Sequence, residues 1–264
     1  MSTTRLRLYQ VDAFTSQVFG GNPAAVCPLD AWLPDEVMQA IALENNLSET
    51  AFVLRDEVRG WQIRWFTPTQ EVDLCGHATL ATAYILFTRL APGLEQVQLH
   101  SRSGPLVVTQ REGDWMEMDF PSRPPEPCPI PEGLVEALGA TPRETLAARD
   151  LVAVFDSEEQ VRALTPDLTK LAALDFFSVV PTAPGLEADF VSRFFAPRVG
   201  VPEDPVTGSS HCSLVPYWAR KLGKPQLLAH QVSARGGVLQ CEDRDERVGI
   251  AGQAVLYLEG YISL

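Results

Sequence analysis

RWFTPTQEVDLCGHATL, residues 64–80, decides the fold, because a second stretch of the chain echoes it. Residues 193–211, RFFAPRVGVPEDPVTGSSH, repeat the arginine, the aromatic pair and the proline, with the glycine turn three residues further on. The echo aligns Cys75-Gly76-His77-Ala78 with Thr207-Gly208-Ser209-Ser210. Its offset of about 130 residues is far longer than a solenoid period. The sequence therefore predicts two related domains.

Matching elements surround both copies. A helix at 34–45 and a strand at 50–54 precede the first copy, and a helix at 166–174 and a strand at 176–181 precede the second. An apolar, helix-like segment follows each turn, at 78–90 and at 209–222, and Pro216 is expected to kink or break the second. Short alternating runs predict further antiparallel strands at 94–100, 106–110, 115–120 and 252–258.

A proline-rich segment, Pro121 to Pro131, gives the boundary between the halves, because six prolines make it stiff and extended. The predicted domains are residues 1–121, a linker at 122–131, and residues 132–264, with a terminal strand free to cross between the halves. A cleft between such halves is a common place for a ligand.

Composition narrows the class of protein. The formal charge of −13 over 264 residues argues against a nucleic-acid surface, which needs clustered Lys and Arg. Five cysteines with no CxxC pair indicate free thiols in a reducing cytoplasm. The N-terminal residues 1–9 show no signal peptide, and no apolar run nears the roughly 20 residues that span a bilayer. We expect a soluble cytoplasmic protein with no membrane partner.

Two glycine turns at helix starts are the candidate binding elements. Asp73 to Thr79 places a thiol and an imidazole where free backbone N–H groups attract an anion, and Glu203 to His211 supplies a second such start. Two such starts facing each other would clamp a carboxylate. For either turn alone, a capped structural helix is the more common arrangement. Glu49, directly before an apolar strand, is by itself more often a solvated residue at a strand edge.

Five motifs together resemble one known family, the PhzF-like (phenazine biosynthesis) isomerases. They are, in order, Val11 to Phe14, Phe19 to Val26, Leu47 to Phe52, Cys75 to Thr79 and Glu203 to Ser209. The resemblance implies an α+β fold like that of diaminopimelate epimerase. In that fold two pseudo-symmetric halves each wrap a curved, mostly antiparallel sheet or barrel around a central helix, with the site between the halves.

The resemblance also implies the roles of the site residues. Glu49 would be the general acid/base of a cofactor-independent proton transfer between carbons of a small carboxylated amino- or hydroxy-substrate. His77 and Asp204 would be its polar catalytic partners. The residues that would hold the substrate are Ser48, Cys75, Gly76, Thr207, Gly208 and Ser209. The family commonly forms homodimers, so a homodimer is expected as well.

Cys75 leaves a second function open, an epimerase or racemase of amino-acid-like substrates. It occupies the position of one catalytic thiol in the two-cysteine epimerases, and a helix N-terminus lowers a thiol pKa. The position of the second thiol holds Thr207, whose hydroxyl is too weakly acidic, so this mechanism is disfavoured. A third possibility is a non-catalytic metabolite-binding protein on the same scaffold.

The remaining candidates have structural explanations. His211, early in a helix, is more often a surface or capping group than part of a site, and Cys212 is expected in the core. His100 and His230 fall near strand ends. No histidine or carboxylate spacing indicates a metal, and no GxGxxG turn indicates a nucleotide, so neither is expected.

Overall fold

The computed structural model describes residues 5–264 and divides them into two units. The first unit runs to Asp119 and takes in Ala251–Leu264, and the second is Phe120–Ile250. Ala251–Leu264 thus lies with the first unit, whereas the sequence boundaries put it in the second half. Of the stretch in which no signal peptide is predicted, residues 1–4 lie outside the described part. No helix within residues 5–264 is long and apolar enough to cross a bilayer.

The elements alternate short strands with few helices. Up to the first boundary they are β1 (Arg5–Ala13), β2 (Asn22–Leu29), α1 (Asp35–Asn45), β3 (Glu49–Asp56), β4 (Gly60–Phe66), β5 (Glu71–Val72), α2 (Gly76–Ile85), β6 (Gln96–Ser101), β7 (Gly104–Gln110) and β8 (Met116–Pro121). The elements that follow are β9 (Glu126–Cys128), α3 (Leu134–Leu138), β10 (Glu144–Ala147), β11 (Leu151–Val154), α4 (Glu158–Ala163), α5 (Leu168–Ala173), β12 (Val179–Pro184), β13 (Phe190–Ser192), α6 (His211–Leu222), β14 (Gln226–Gln231), β15 (Gly237–Arg244), β16 (Arg247–Gly252) and β17 (Ala254–Ser263).

Strand pairing follows the same alternation in both units. In the first, β1/β2 is antiparallel, β2/β3 parallel, β3/β4 antiparallel, β4/β6 parallel and β6/β7 antiparallel. In the second, β10/β11 is antiparallel, β11/β12 parallel, β12/β13 antiparallel, β13/β14 parallel and β14/β15 antiparallel. The repeat seen in the sequence is therefore a repeat of sheet topology.

Each unit packs its sheet against one buried helix. Eight of the ten residues of α2 are buried, and the helix packs on β1, β2, β3 and β17. Small side chains such as Ala78 and Ala83 let strands approach it from several sides. In the second unit α6 packs on β14 and β15 and runs unbroken through Pro216. The predicted α+β class, with a mostly antiparallel sheet on a central helix in each unit, is confirmed.

The proline-rich segment forms part of a sheet. Within the predicted linker at 122–131, Glu126–Cys128 is strand β9, and Pro127 lies opposite Leu146 of β10. Proline keeps the extended backbone of a strand but donates no hydrogen bond, which suits a strand edge. The segment therefore belongs to the second unit.

Candidate active site

Two parallel strands and a helix bring the polar residues of the first unit together. β2 begins at Asn22 and β3 at Glu49, and the parallel register pairs Ala24 with Glu49. Because parallel strands that start in register start at the same edge of a sheet, Asn22 and Glu49 share that edge. The helix α2 packs on both strands and begins at Gly76, which carries His77 to them.

Glu49 faces His77. The Nε2 atom of His77 lies 3.0 Å from Oε2 of Glu49, and the two side chains are 6% and 17% exposed. Within residues 5–264 neither atom makes an aligned hydrogen bond. The two groups therefore interact electrostatically at short distance. Glu49 is thus not the solvated strand-edge residue that its sequence context alone favours.

Burial and charge set the protonation of the neighbouring groups. Burial, followed by the Glu49 carboxylate, raises the pKa of Cys75 to about 11. The expectation that the pKa of this thiol is lowered is therefore wrong, because desolvation outweighs the contacts that lower it. Burial disfavours the imidazolium form of His77, but contacts with Cys75 and Glu49 outweigh it and raise the pKa of His77 above its usual value.

Asn22 and Ser48 complete the polar cluster. The Nδ2 atom of Asn22 lies 3.2 Å from Nδ1 of His77, and the hydroxyl of Ser48 donates to Oδ1 of Asn22 at 3.1 Å. The Sγ atom of Cys75 lies 3.5 Å from the same Nδ1. Asn22 and Cys75 thus both lie against Nδ1 of His77.

Three of these side chains carry donor types that suit zinc. Donor atoms of Glu49, Cys75 and His77 lie within 4.8 Å of one another. Spacing along the sequence did not reveal this group, because Glu49 is remote from the other two. The Asn22 amide, however, lies against Nδ1 of His77, the nitrogen nearest the thiol. We therefore assign no metal to this cluster.

The start of α2 has no side-chain cap. The side chain of Cys75, the residue before the helix, accepts no hydrogen bond from the first turn, and the same holds for Thr207 before the second glycine turn. In the described chain the capped helix that frequency favours is therefore absent at both places. N–H groups at an uncapped start attract an anion.

The second glycine turn is held by a side chain from a later strand. Gln231 of β14 accepts from the Thr207 N–H at 2.8 Å and donates to the Asp204 carbonyl oxygen at 2.8 Å. The Thr207 hydroxyl donates to the Asp204 carboxylate. Gln231 and the loop that contains Asp204 and Thr207 are therefore linked by hydrogen bonds within the second unit.

Arg149 and His211 flank that loop. Arg149 donates to the Ser209 hydroxyl at 3.2 Å and is itself held by Asp150. His211 is fully buried, with Nδ1 2.9 Å from the Thr207 carbonyl oxygen, and burial lowers the pKa of His211 to about 4. The expected surface position of His211 is wrong, whereas Cys212 is buried as predicted.

In each unit an arginine forms an ion pair with a glutamate that precedes the glycine turn. Arg64 binds Glu71 at 2.6 Å, and Arg193 binds Glu203 at 2.8 Å. Each glutamate stands four residues before the residue that opens the turn, Cys75 or Thr207. The echoed arginines are therefore structural counterparts.

Each unit gathers its own predicted residues. The first-unit cluster contains Ser48, Glu49, Cys75, Gly76 and His77, and the second-unit loop contains Asp204, Thr207, Gly208 and Ser209. Sequence reasoning gave no role to Asn22, although it lies in a quoted motif. It also missed Gln231 and Arg149, which no sequence pattern marks.

Comparison with known proteins finds similarity along nearly the whole chain. The sequence profile of the family described as phenazine biosynthesis-like protein matches residues 11–260. An uncharacterized isomerase of Pseudomonas aeruginosa is 55% identical over 260 residues, covering 98% of this chain and 99% of that protein.

Solved structures agree with this match. The crystal structure of a PhzF-family phenazine biosynthesis protein from Enterococcus faecalis superposes with a TM-score of 0.96 at 48% identity, covering 99% of this chain and 100% of that one. A structure named a predicted epimerase, from Pseudomonas aeruginosa, has a TM-score of 0.74 at 23% identity, covering 97% and 99%. The second likeness shows the fold alone.

Proposed function

Because the chain belongs to the phenazine biosynthesis-like protein family, we propose that it moves a proton between two carbons of a small carboxylated substrate bearing an amino or hydroxyl group. The chain is an isomerase by family. The proposal adds the type of reaction, the substrate class and the residue that carries the proton, Glu49.

One observation carries the proposal: the Glu49 carboxylate lies 3.0 Å from the His77 ring, in a site that is mostly buried. A carboxylate is a competent base for a carbon acid when it is held in place and partly removed from water.

The proposed step balances without another reactant. Glu49 takes a proton from one carbon, and the electron pair of the broken C–H bond moves into the substrate's conjugated system. The same carboxylic acid then gives the proton to a second carbon, which restores the Glu49 carboxylate. His77 holds the carboxylate in position throughout.

The proposal also assigns the groups that bind the substrate. Backbone N–H groups at Gly76, where α2 starts without a side-chain cap, suit a carboxylate. Cys75 lies beside the His77 ring, and Ser48 binds Asn22, which lies against the same ring. Asp204, as a polar catalytic partner, and Thr207, Gly208 and Ser209 complete the proposed set. A cytoplasmic homodimer stays a prediction.

Cys75 is a weak alternative base. Burial and the nearby carboxylate raise its pKa to about 11, so the thiol keeps its proton at neutral pH. In the second unit the hydroxyl at the matching position, Thr207, is bound to Asp204. A two-thiol epimerase would need an ionised thiol at each position.

Exchange of substrate hydrogen with solvent tests the proposal. A panel of small 2-amino acids, 2-hydroxy acids and cyclic unsaturated carboxylates is incubated in D2O, and deuterium on carbon is measured by NMR. Glu49→Gln keeps the size of the side chain but removes the base, so exchange should fall about 10²- to 10⁴-fold.

Glu44→Gln is the matched control, since Glu44 is an exposed carboxylate on α1. It should leave exchange unchanged. A Glu49→Gln protein that exchanges as fast as the wild type would overturn the assignment of the base.

A further inference from the structure

Two hydrogen-bond donors converge on one nitrogen of His77. The Asn22 amide nitrogen lies 3.2 Å from Nδ1, and the Cys75 sulfur lies 3.5 Å from it. An amide NH2 group has only hydrogens to offer, and a thiol that keeps its proton donates more readily than it accepts. Nδ1 must therefore act as the acceptor, which leaves it without a hydrogen in the neutral ring.

The oxygen end of the Asn22 amide has a hydrogen-bond partner of its own. The Oδ1 atom of Asn22 faces Ser48, whose hydroxyl donates to it at 3.1 Å, and the Nδ2 atom faces His77. Asn22 is fully buried, which keeps water from competing for either atom.

The backbone before Asn22 fixes its position. Gly21 has a φ of 60°, and a Cβ at this position would lie 2.0 Å from the Ala13 carbonyl oxygen. Only glycine allows so close an approach. Asp12 holds the other side of this turn by accepting from the Phe19 N–H at 2.8 Å. The motifs that contain Asp12 and Asn22 thus form one turn that presents the amide to His77.

The other nitrogen of the His77 ring lies next to Glu49. Nε2 lies 3.0 Å from the Glu49 carboxylate. The titratable groups that act on the ring are Cys75 on its own turn and Glu49 on β3. The Glu49 carboxylate favours a hydrogen on Nε2, and the two donors disfavour a hydrogen on Nδ1.

We propose that Asn22 and Cys75 are positioning residues that, whenever the His77 ring is neutral, hold it in the tautomer with its hydrogen on Nε2, next to Glu49. In this tautomer, as in the doubly protonated ring that the raised pKa of His77 favours at lower pH, Nε2 has no lone pair with which to take a proton from Glu49. A proton that Glu49 removes from carbon is then not passed to His77, so it leaves Glu49 only by return to the substrate or by exchange with solvent. This consequence rests on the proposed function, whereas the tautomer itself does not.

The ring nitrogens of the substrate-free, 15N-labelled protein test the tautomer by NMR. His77 is assigned by its loss in His77→Gln, and spectra are recorded over a pH series that reaches the neutral ring. His211 is the internal reference: its Nδ1 lies 2.9 Å from a carbonyl oxygen, which can only accept, so His211 carries its hydrogen on Nδ1.

His77 should show the opposite pattern to His211, an unprotonated Nδ1 and a protonated Nε2. A neutral His77 with its hydrogen on Nδ1 would overturn the proposal. So would a ring that stays doubly protonated at every pH, because the Asn22 amide would then have to present its oxygen.

Asn22→Asp gives the sharpest variant. A carboxylate accepts a hydrogen from Nδ1, so Nδ1 should become protonated. Because Glu49 still favours a hydrogen on Nε2, the ring should stay doubly protonated to a higher pH than in the wild type. The matched control is Asn45→Asp, in which a partly buried amide that binds Thr50 is changed in the same way and the His77 tautomer should stay as in the wild type. An unchanged His77 spectrum in Asn22→Asp would count against the proposal.

Cys75→Ser and Cys75→Ala separate the donor from the volume of the thiol. Cys75→Ser keeps a donor and should keep the Nε2–H tautomer. Cys75→Ala removes the donor, so a fraction of the His77 rings should take the Nδ1–H tautomer. If Asn22→Asp does not fold, these variants and the wild-type spectrum still decide. The expected tautomer without any substrate exchange would leave this proposal standing and count against the proposed function alone.

Discussion

Glu49 and His77 illustrate how much a single contact changes the meaning of a residue. A glutamate before an apolar strand is unremarkable by itself, but here its carboxylate is 3.0 Å from a buried imidazole. Two charged or polar groups held together at low solvent exposure interact more strongly than they would in water. The chemistry of the first unit therefore depends on side chains that strand register brings into contact.

His211 allows a prediction on pH and stability. The folded protein buries its neutral ring, and its pKa falls to about 4 from an ordinary value of 6.5. Below pH 6.5 the unfolded chain binds a proton that the folded chain does not, so unfolding becomes easier. This contribution is complete above pH 6.5 and is lost as the pH falls towards 4, for a total of about 3 kcal/mol.

Urea denaturation of the wild type and of His211→Gln at pH 7, 5.5 and 4 measures the effect. The wild type should lose more unfolding free energy than His211→Gln over this range, because glutamine does not titrate. Equal losses in the two proteins would show that His211 does not stay neutral in the folded state.

At the scale of elements, Arg193 connects a strand end to the second glycine turn. It binds Glu203 through two nitrogens at 2.8 and 3.0 Å, and it also donates to the Leu164 carbonyl oxygen at 2.7 Å. Its side chain is only 12% exposed. Removing it leaves a carboxylate and a carbonyl group without their cation.

We expect Arg193→Met to lower the unfolding free energy by about 3 kcal/mol. Lys170→Met removes an exposed pair with Asp167 at 3.9 Å and should change it by less than about 0.5 kcal/mol. Urea denaturation at pH 7 compares the two variants. If Arg193→Met and Lys170→Met lower the unfolding free energy by the same amount, the pair of Arg193 with Glu203 does not stabilise the turn.

Elements near one another in sequence were predictable. The helix at 34–45 and the strand after it appear as Asp35–Asn45 and Glu49–Asp56, because caps, turns and apolar periodicity act locally. The contacts of Asn22 with His77 and of Gln231 with Thr207 were not predictable, because they depend on which strands become neighbours.

At the scale of the whole molecule, the chain repeats one topology in two units. The same alternation of antiparallel and parallel pairs recurs, although β2 and β11 share little sequence. The repeat was visible in the sequence through its arginines, aromatic pairs and glycine turns. The sequence reasoning allowed a terminal strand to cross between the halves, but it did not say that Ala251–Leu264 would return to the first unit, where β17 pairs with β1.

The path of the proton tests the central claim most directly. The substrate found by the exchange panel is deuterated at the carbon that loses its hydrogen and is converted in ordinary water. If Glu49 alone carries the proton, part of the deuterium should appear at the new carbon of the product. A wild-type product in which every transferred hydrogen comes from solvent would contradict the account.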